Sequence, residues 1–143
     1  MDDLAAWLRQ RIRERRYLAE HAVELGSFAE WEERSSGVLV TGDGTDSDPW
    51  RGTWVTGDSS VTRLMEANDP RDTIARCEAE LAILDEHSSL RVPYGDARGS
   101  AATSYECATC GFGGPSGSYP CRTVRLVGYG YRFWGGYRAE WKP

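Results

Sequence analysis

Cys107-Ala108-Thr109-Cys110-Gly111, followed after nine intervening residues by Cys121, is the most informative stretch of the chain. Two thiolates separated by two residues can grip one ion from a tight turn, and Gly111 lets the backbone curl round the sulfurs; this is the spelling of a zinc knuckle. The segment 112–120 is rich in Gly, Ser and Pro, so it can fold back and deliver the third sulfur. Three sulfurs leave a tetrahedral structural site one ligand short. The remaining donors of the right kind are Cys77, His87 and His21. Cys77 and His87 are ten residues apart on one expected helix, ~15 Å along its axis, so they cannot serve the same ion. Cys77 falls on the apolar face of that helix and reads as an ordinary buried cysteine. His87 stands at the helix end, ahead of the segment that leads to Cys107, and is favoured as the fourth ligand; His21 is remote. The expected metal set is therefore His87, Cys107, Cys110 and Cys121 around a structural Zn2+. A redox Cys-x-x-Cys belongs in a βαβ pattern, and none surrounds this one.

The helix that brings His87 has a clear start. Asp69 is a good N-cap, Pro70 suits the first helical position, and Asp72 lies in the favourable first turn. Ile74, Cys77, Leu81 and Leu84 follow at three- and four-residue spacing, which predicts a helix over 69–88 with one apolar face. Another helix is predicted over 1–25, capped by Asp2 or Asp3 and stopped by Gly26, with Leu4, Trp7, Leu8 and Ile12 on its apolar face. Arg9, Arg13 and Arg16 line a different face, and Arg16 and Glu20 are spaced as an i,i+4 pair.

Residues 27–66 break into short pieces, 27–33, 37–41, 51–56 and 60–66, separated by turn residues. Val40-Thr41-Gly42-Asp43 recurs as Val55-Thr56-Gly57-Asp58, and Gly-Asp after a β-branched pair is a turn signal, so a small antiparallel β-meander is expected. Residues 88–104 read as a loop. In the tail, 123–126 begins a short helix or a strand. Tyr129, Tyr131 and Phe133 alternate as on a strand, with Gly128 and Gly130 on the opposite face, open to another backbone. The fold class is α+β: a single zinc-stabilised domain over 1–143, with the knuckle and an aromatic tail in 105–143.

At 143 residues the chain matches the usual ~100–200 of one domain and can build a real core. The start, Met1-Asp2-Asp3-Leu4, is acidic and no apolar signal core follows. No apolar run approaches the ~20 residues that span a bilayer. A cytoplasmic protein without a membrane partner is expected, and in a cytosol cysteines stay reduced and favour metals over disulfides. The net charge is −5, but it is unevenly spread. From Arg122 onward five basic residues face Glu140 alone, giving +4 there and −9 elsewhere. Sixteen arginines against one lysine fit a GC-rich genome, since arginine codons are GC-rich.

Several segments together resemble a known family. They are Met1-Asp2-Asp3-Leu4-Ala5-Ala6-Trp7-Leu8, Asn68-Asp69-Pro70 leading a helix that ends in His87, Pro120-Cys121-Arg122-Thr123-Val124-Arg125-Leu126, and the closing Tyr137-Arg138-Ala139-Glu140-Trp141-Lys142-Pro143. The chain is similar here to a family of small proteins of unknown function from actinobacteria and their bacteriophages. The resemblance implies a bacterial or phage-infected cytoplasm and supplies no activity. Residues 90–104 and 128–136 depart from the family pattern.

Catalysis is not expected. With His87 on the metal, His21 is the sole free imidazole for acid–base work. No nucleophile elbow, P-loop or dinucleotide fingerprint appears. The zinc-deaminase pattern fails because Pro120 precedes a lone Cys121 and serines follow His87. Asp43, Asp46 and Asp48 do not have calcium-loop spacing and read as solvated turn aspartates.

Two binding functions remain. One is a protein-interaction module, with a protein partner or a homodimer. Its expected surface is Arg122, Arg125, Tyr129, Tyr131, Arg132, Phe133, Trp134, Tyr137 and Trp141, although at least half of these rings are expected to serve the core. The alternative is single-stranded nucleic acid, with bases stacking on the tail's rings and phosphates on its arginines. That alternative needs Arg122, Arg125, Arg132 and Arg138 on one exposed face.

Overall fold

The computed structural model describes residues 3–24, 30–35, 38–42, 52–55, 59–95, 101–111 and 119–143. Its elements in chain order are α1 (Asp3–Glu24), β1 (Glu30–Ser35), β2 (Val38–Gly42), β3 (Gly52–Val55), α2 (Ser59–Glu66), α3 (Pro70–Glu86), β4 (Ser89–Gly95), β5 (Ala101–Cys107), α4 (Arg122–Gly130) and a 3-10 turn (Ala139–Trp141). The arrangement is α+β, as the periodicity predicts. The expected caps and stops at Asp2, Gly26, Asp43, Thr56, Gly57 and Asp58, and the acidic run Asp43, Asp46 and Asp48, lie outside the described residues. Backbone contacts divide the chain into two compact units, one of residues 1–12 and 79–143, the other of residues 13–78.

In the 13–78 unit, β1, β2 and β3 form an antiparallel sheet in that order, the expected meander. Leu39 stands opposite both Glu33 and Trp54, and the β1–β2 register shifts between Glu33 and Ser35. The fourth expected piece is a helix. Residues 59–66 lack the two-residue alternation of a strand, and Leu64, Met65, Glu66 and Ala67 are good helix formers. The resulting α2 packs on β1 and β2 and buries Thr62. Asp69 caps α3 as expected, its Oδ1 accepting the Asp72 N–H at 2.7 Å. Cys77 is fully buried on α3. Arg16 pairs with Glu20 at 2.7 Å and with Glu78 at 3.3 Å.

In the other unit, Leu4, Leu8 and Ile12 of α1 are fully buried, with Leu84 of α3 and Val124 of α4. Arg9 holds the end of α3 through Asp85 at 2.6 Å and the Leu84 carbonyl at 2.9 Å. Trp7, Tyr137 and Trp141 form a three-ring cluster with centroids 5.3–6.0 Å apart, and the Trp7 indole N–H donates to the Gly135 carbonyl at 3.3 Å.

Two expectations for this unit are overturned. Most of 88–104 is a hairpin and not a loop: β4 pairs antiparallel with β5 from Ser89↔Cys107 to Gly95↔Ala101. Pro93 disguises it in the sequence, but in a two-stranded sheet both strands are edges and a missing N–H is tolerated. Of the strand or short helix expected in the tail, the helix forms, and the strand through Tyr129, Tyr131 and Phe133 is absent. α4 runs to Gly130 and continues into turns closed by Tyr131 N–H to the Gly128 carbonyl and Trp134 N–H to the Tyr131 carbonyl. Val124, Gly128 and Tyr131 are buried at four- and three-residue spacing, so the helical period outweighs the alternation of rings. Gly128 admits side chains and not a second backbone: a Cβ there would stand 3.0 Å from Leu4 Cδ1 and 3.5 Å from Leu8 Cδ1.

Candidate metal centre

The β4–β5 register builds the site. His87 closes the last turn of α3, its N–H donating to the Ile83 carbonyl at 2.9 Å. Two residues later Ser89 stands opposite Cys107, and the Ala108 N–H extends the ladder to the Ser88 carbonyl at 2.9 Å. The knuckle that follows β5 is thereby wrapped against the end of α3. Thr109 Oγ1 donates to the Glu86 carbonyl at 2.5 Å. Gly111 N–H returns to the Cys107 carbonyl at 3.3 Å, and Gly111 takes the left-handed conformation, φ 82°, that glycine adopts without strain.

Cys121 arrives from the other side. It occupies the N-cap position of α4 in extended conformation, and its carbonyl accepts the Arg125 N–H at 3.1 Å. Arg125 braces this entry, Nε donating to the Pro120 carbonyl at 3.1 Å and Nη1 reaching the Glu140 and Lys142 carbonyls at 3.5 Å.

One ring nitrogen therefore meets three sulfurs. His87 Nδ1 lies 3.3 Å from Cys107 Sγ, 3.5 Å from Cys121 Sγ and 3.6 Å from Cys110 Sγ. All four ligand atoms lie within 4.8 Å of one another, and the cysteines are free thiols. Hydrogen bonding alone does not explain this convergence. An imidazole nitrogen has a single in-plane site, as donor or as acceptor, and serves one sulfur well. A cation at the centre serves all four atoms, and the cluster is able to coordinate a metal ion. Cys107 and Cys121 are 1% and 2% exposed, His87 is half-buried, and Cys110 is exposed.

The sulfurs compete for protons. Burial opposes ionisation of Cys107, but the backbone N–H groups of Cys110 and Thr109, followed by His87 and Cys121, favour its thiolate and bring it from 9.0 down to about 7. The Cys110 thiol is pushed up to about 12, first by its hydrogen bond to Cys107, then by loss of hydration and by Cys121. A bound cation would relieve this crowding by favouring every thiolate at once.

Cys77, weighed as a fourth ligand, is fully buried and belongs to the 13–78 unit. His21 is exposed on α1, stacked on Tyr17 at 5.8 Å and 3.7 Å from Glu24. The tail residues split. Tyr131 and Trp141 are buried, which removes them from any surface, and Tyr137 is half-buried against Trp7. The Tyr131 hydroxyl donates to Glu80 Oε2. Arg122, Arg132, Phe133 and Trp134 are exposed, and Arg125 and Tyr129 are half-buried. Arg132 lies over the rings of Tyr129 at 4.5 Å and Phe133 at 4.3 Å, and Arg138 over Trp141 at 5.2 Å. Sequence reasoning missed Thr109 and Arg125 as braces of the site. The first carried no signal beyond being a hydroxyl inside the knuckle; the second was assigned to the interaction surface instead.

Among the described residues, no helix is long and apolar enough to cross a membrane. Neither the curated proteins nor the solved structures include a match to this chain. The model of a family of unknown function, DUF6221, matches residues 1–143, and the chain belongs to that family.

Proposed function

We propose that the chain is a small zinc-stabilised protein-interaction module without catalytic activity. The observation that carries this reading is the set of His87 Nδ1 to sulfur separations, 3.3, 3.5 and 3.6 Å. Bonds of ~2.3 Å to sulfur and ~2.0 Å to nitrogen, at tetrahedral angles, place S and N about 3.5 Å apart. His87, Cys107, Cys110 and Cys121 would hold the ion. A zinc with four protein ligands has no open position for substrate and supplies folding free energy instead. It would tie the end of α3, the end of the hairpin and the start of α4 to one point.

The surface so fixed is α4 and the turn after it. Arg122, Arg132, Trp134 and Phe133 are exposed there, Phe133 to 84%, and so is Leu126. Exposed aromatic and arginine side chains are the usual anchors of protein interfaces. The partner is a second protein or a second copy of the chain. An actinobacterial or phage-infected cytoplasm is the proposed setting, supported by the terminal motifs and the arginine excess.

A second reading, single-stranded nucleic acid, is favoured by the stacking of Arg132 on Tyr129 and Phe133 and by the lack of any carboxylate between residues 107 and 139. Arg125, spent on backbone carbonyls, and Arg138, 3.9 Å from Glu140, count against it.

The test begins with zinc counted per purified chain. Self-association by sedimentation, partner capture from the producing cell, and oligonucleotide binding by anisotropy are then compared for the native chain and Phe133→Ala. A captured protein or a dimer lost in Phe133→Ala supports the module. Oligonucleotide binding lost in that variant transfers the function to the second reading. Absence of zinc removes the first.

A further inference from the structure

We propose that Cys110 is a modification site, where hydroperoxides attack the cluster and convert Cys107 and Cys110 into a disulfide. This rests on the zinc reading above and adds a regulator to that same site.

The three sulfurs share one centre but not one environment. Cys107 and Cys121 are buried, and Cys110 is exposed. Metal ligation holds all of them as thiolates, so access decides which one an oxidant reaches. A second sulfur is at hand to complete the reaction. Cys107 belongs to the same turn, three positions away, and its Sγ and that of Cys110 are among the ligand atoms gathered within 4.8 Å. Joining these two closes the short Cys-x-x-Cys turn and leaves α4 in place. Joining either of them to Cys121 would bridge to the entry of α4.

The chemistry balances with one hydroperoxide per disulfide. The Cys110 sulfur attacks the distal peroxide oxygen; an S–O bond forms and the O–O bond breaks. The departing alkoxide, or hydroxide from hydrogen peroxide, takes a proton from water, and Cys110 becomes a sulfenic acid. The Cys107 thiolate then attacks the Cys110 sulfur. The S–S bond forms, the S–O bond breaks, and hydroxide leaves and takes a second proton. The thiolate pair loses two electrons and the peroxide gains them.

A disulfide offers no thiolate, so His87 and Cys121 alone remain as donors and the ion is lost. The joint between α3, the hairpin and α4 is then held by hydrogen bonds: Thr109 to Glu86, Ala108 to Ser88, Tyr119 to Tyr105 and the Arg125 brace. Peroxide thus loosens the mounting of the face that carries Arg122 and Leu126. Cys77, fully buried in the other unit, takes no part.

The experiment uses the native, zinc-counted protein. Hydrogen peroxide is added in the presence of a chromophoric zinc chelator, and the thiols are mapped by alkylation and mass spectrometry. One zinc released per disulfide is expected, with the bridge at Cys107–Cys110, Cys77 and Cys121 still alkylatable, and zinc binding restored by a dithiol. A brief iodoacetamide pulse without peroxide should label Cys110 about tenfold faster than Cys107 or Cys121, in line with its exposure. Cys77→Ser should release zinc as the native chain does. Zinc retained with intact thiols, under conditions that oxidise a small free thiol, overturns the inference and leaves the metal reading standing. So does a bridge through Cys121 or a dependence on Cys77. A chain that carries no zinc at the outset overturns the metal reading, and this inference with it.

Discussion

The Thr109 hydroxyl reaches 2.5 Å to the Glu86 carbonyl, so the knuckle finishes the last turn of α3 as well as its own. The final carbonyls of a helix have no partner within it and are left to side chains, water or ligands. Thr109→Val keeps the shape and removes the donor. It should lower stability by about 1 kcal/mol, the net worth of one hydrogen bond, and weaken zinc binding by about 10-fold or more, as loss of an outer-shell support does. Thermal melts and competition with a chelator dye measure the two effects.

Removal of the metal should act locally. Dialysis against a strong chelator is expected to lower the melting temperature and to speed amide exchange at residues 87–89, 107–111 and 121–125, since structural zinc energy is folding energy. Melting and exchange unchanged after verified zinc loss would contradict the clamp.

Cys121→Ser and Cys77→Ser separate ligand from core. Cys121→Ser should reduce zinc affinity by more than the ~10–100-fold typical of outer-shell changes. Cys77→Ser should keep a full equivalent and lose only the ~1–3 kcal/mol of burying a hydroxyl in an apolar place. Zinc analysis beside melting curves distinguishes them.

Zinc affinity should fall with falling pH, and more steeply below about 7. Above that point Cys107 is already a thiolate, and the Cys110 proton, held up to about 12, has to be expelled. Below it the Cys107 proton has to leave too, so the slope of log affinity against pH gains about one unit. Calorimetry in buffers of different ionisation heat reports the protons released.

Gly135 and Gly136 make a matched pair. Gly136 has φ 90°, and a Cβ there would stand 2.8 Å from Trp7 Nε1; at Gly135 a Cβ meets nothing within 4 Å. Gly136→Ala should cost about 1–3 kcal/mol through backbone strain and displacement of Trp7, and Gly135→Ala should lie within about 0.5 kcal/mol of the native chain. Denaturant titration of both variants tests the contrast.

What the sequence disclosed was local. Asp69-Pro70 announced α3, Leu4, Leu8 and Ile12 announced the buried face of α1, and the Cys-x-x-Cys spacing announced a grip for an ion. The hairpin was hidden because Pro93 interrupts the pattern and, among its described side chains, only Cys107 is buried, while Leu90 and Tyr105 are exposed. Yet its register is what sets His87 beside Cys107, and register is a property of two strands together. The tail misled for a related reason. Tyr129, Tyr131 and Phe133 alternate in sequence, but Tyr131 is buried by the helical spacing that links it to Val124 and Gly128. Pairing between distant residues, such as Trp7 with Trp141, leaves no trace in either local pattern.

Trp7 donates to a carbonyl 128 positions further along the chain. At ~5–20 residues per second, a ribosome needs on the order of ten seconds to reach it. Through that interval the indole has been made and its ring partners have not, while residues 13–78 are already complete. The unit that holds the metal ligands is therefore finished last, and a nascent chain stalled before Gly135 would present an unpaired tryptophan to whatever holds newly made chains.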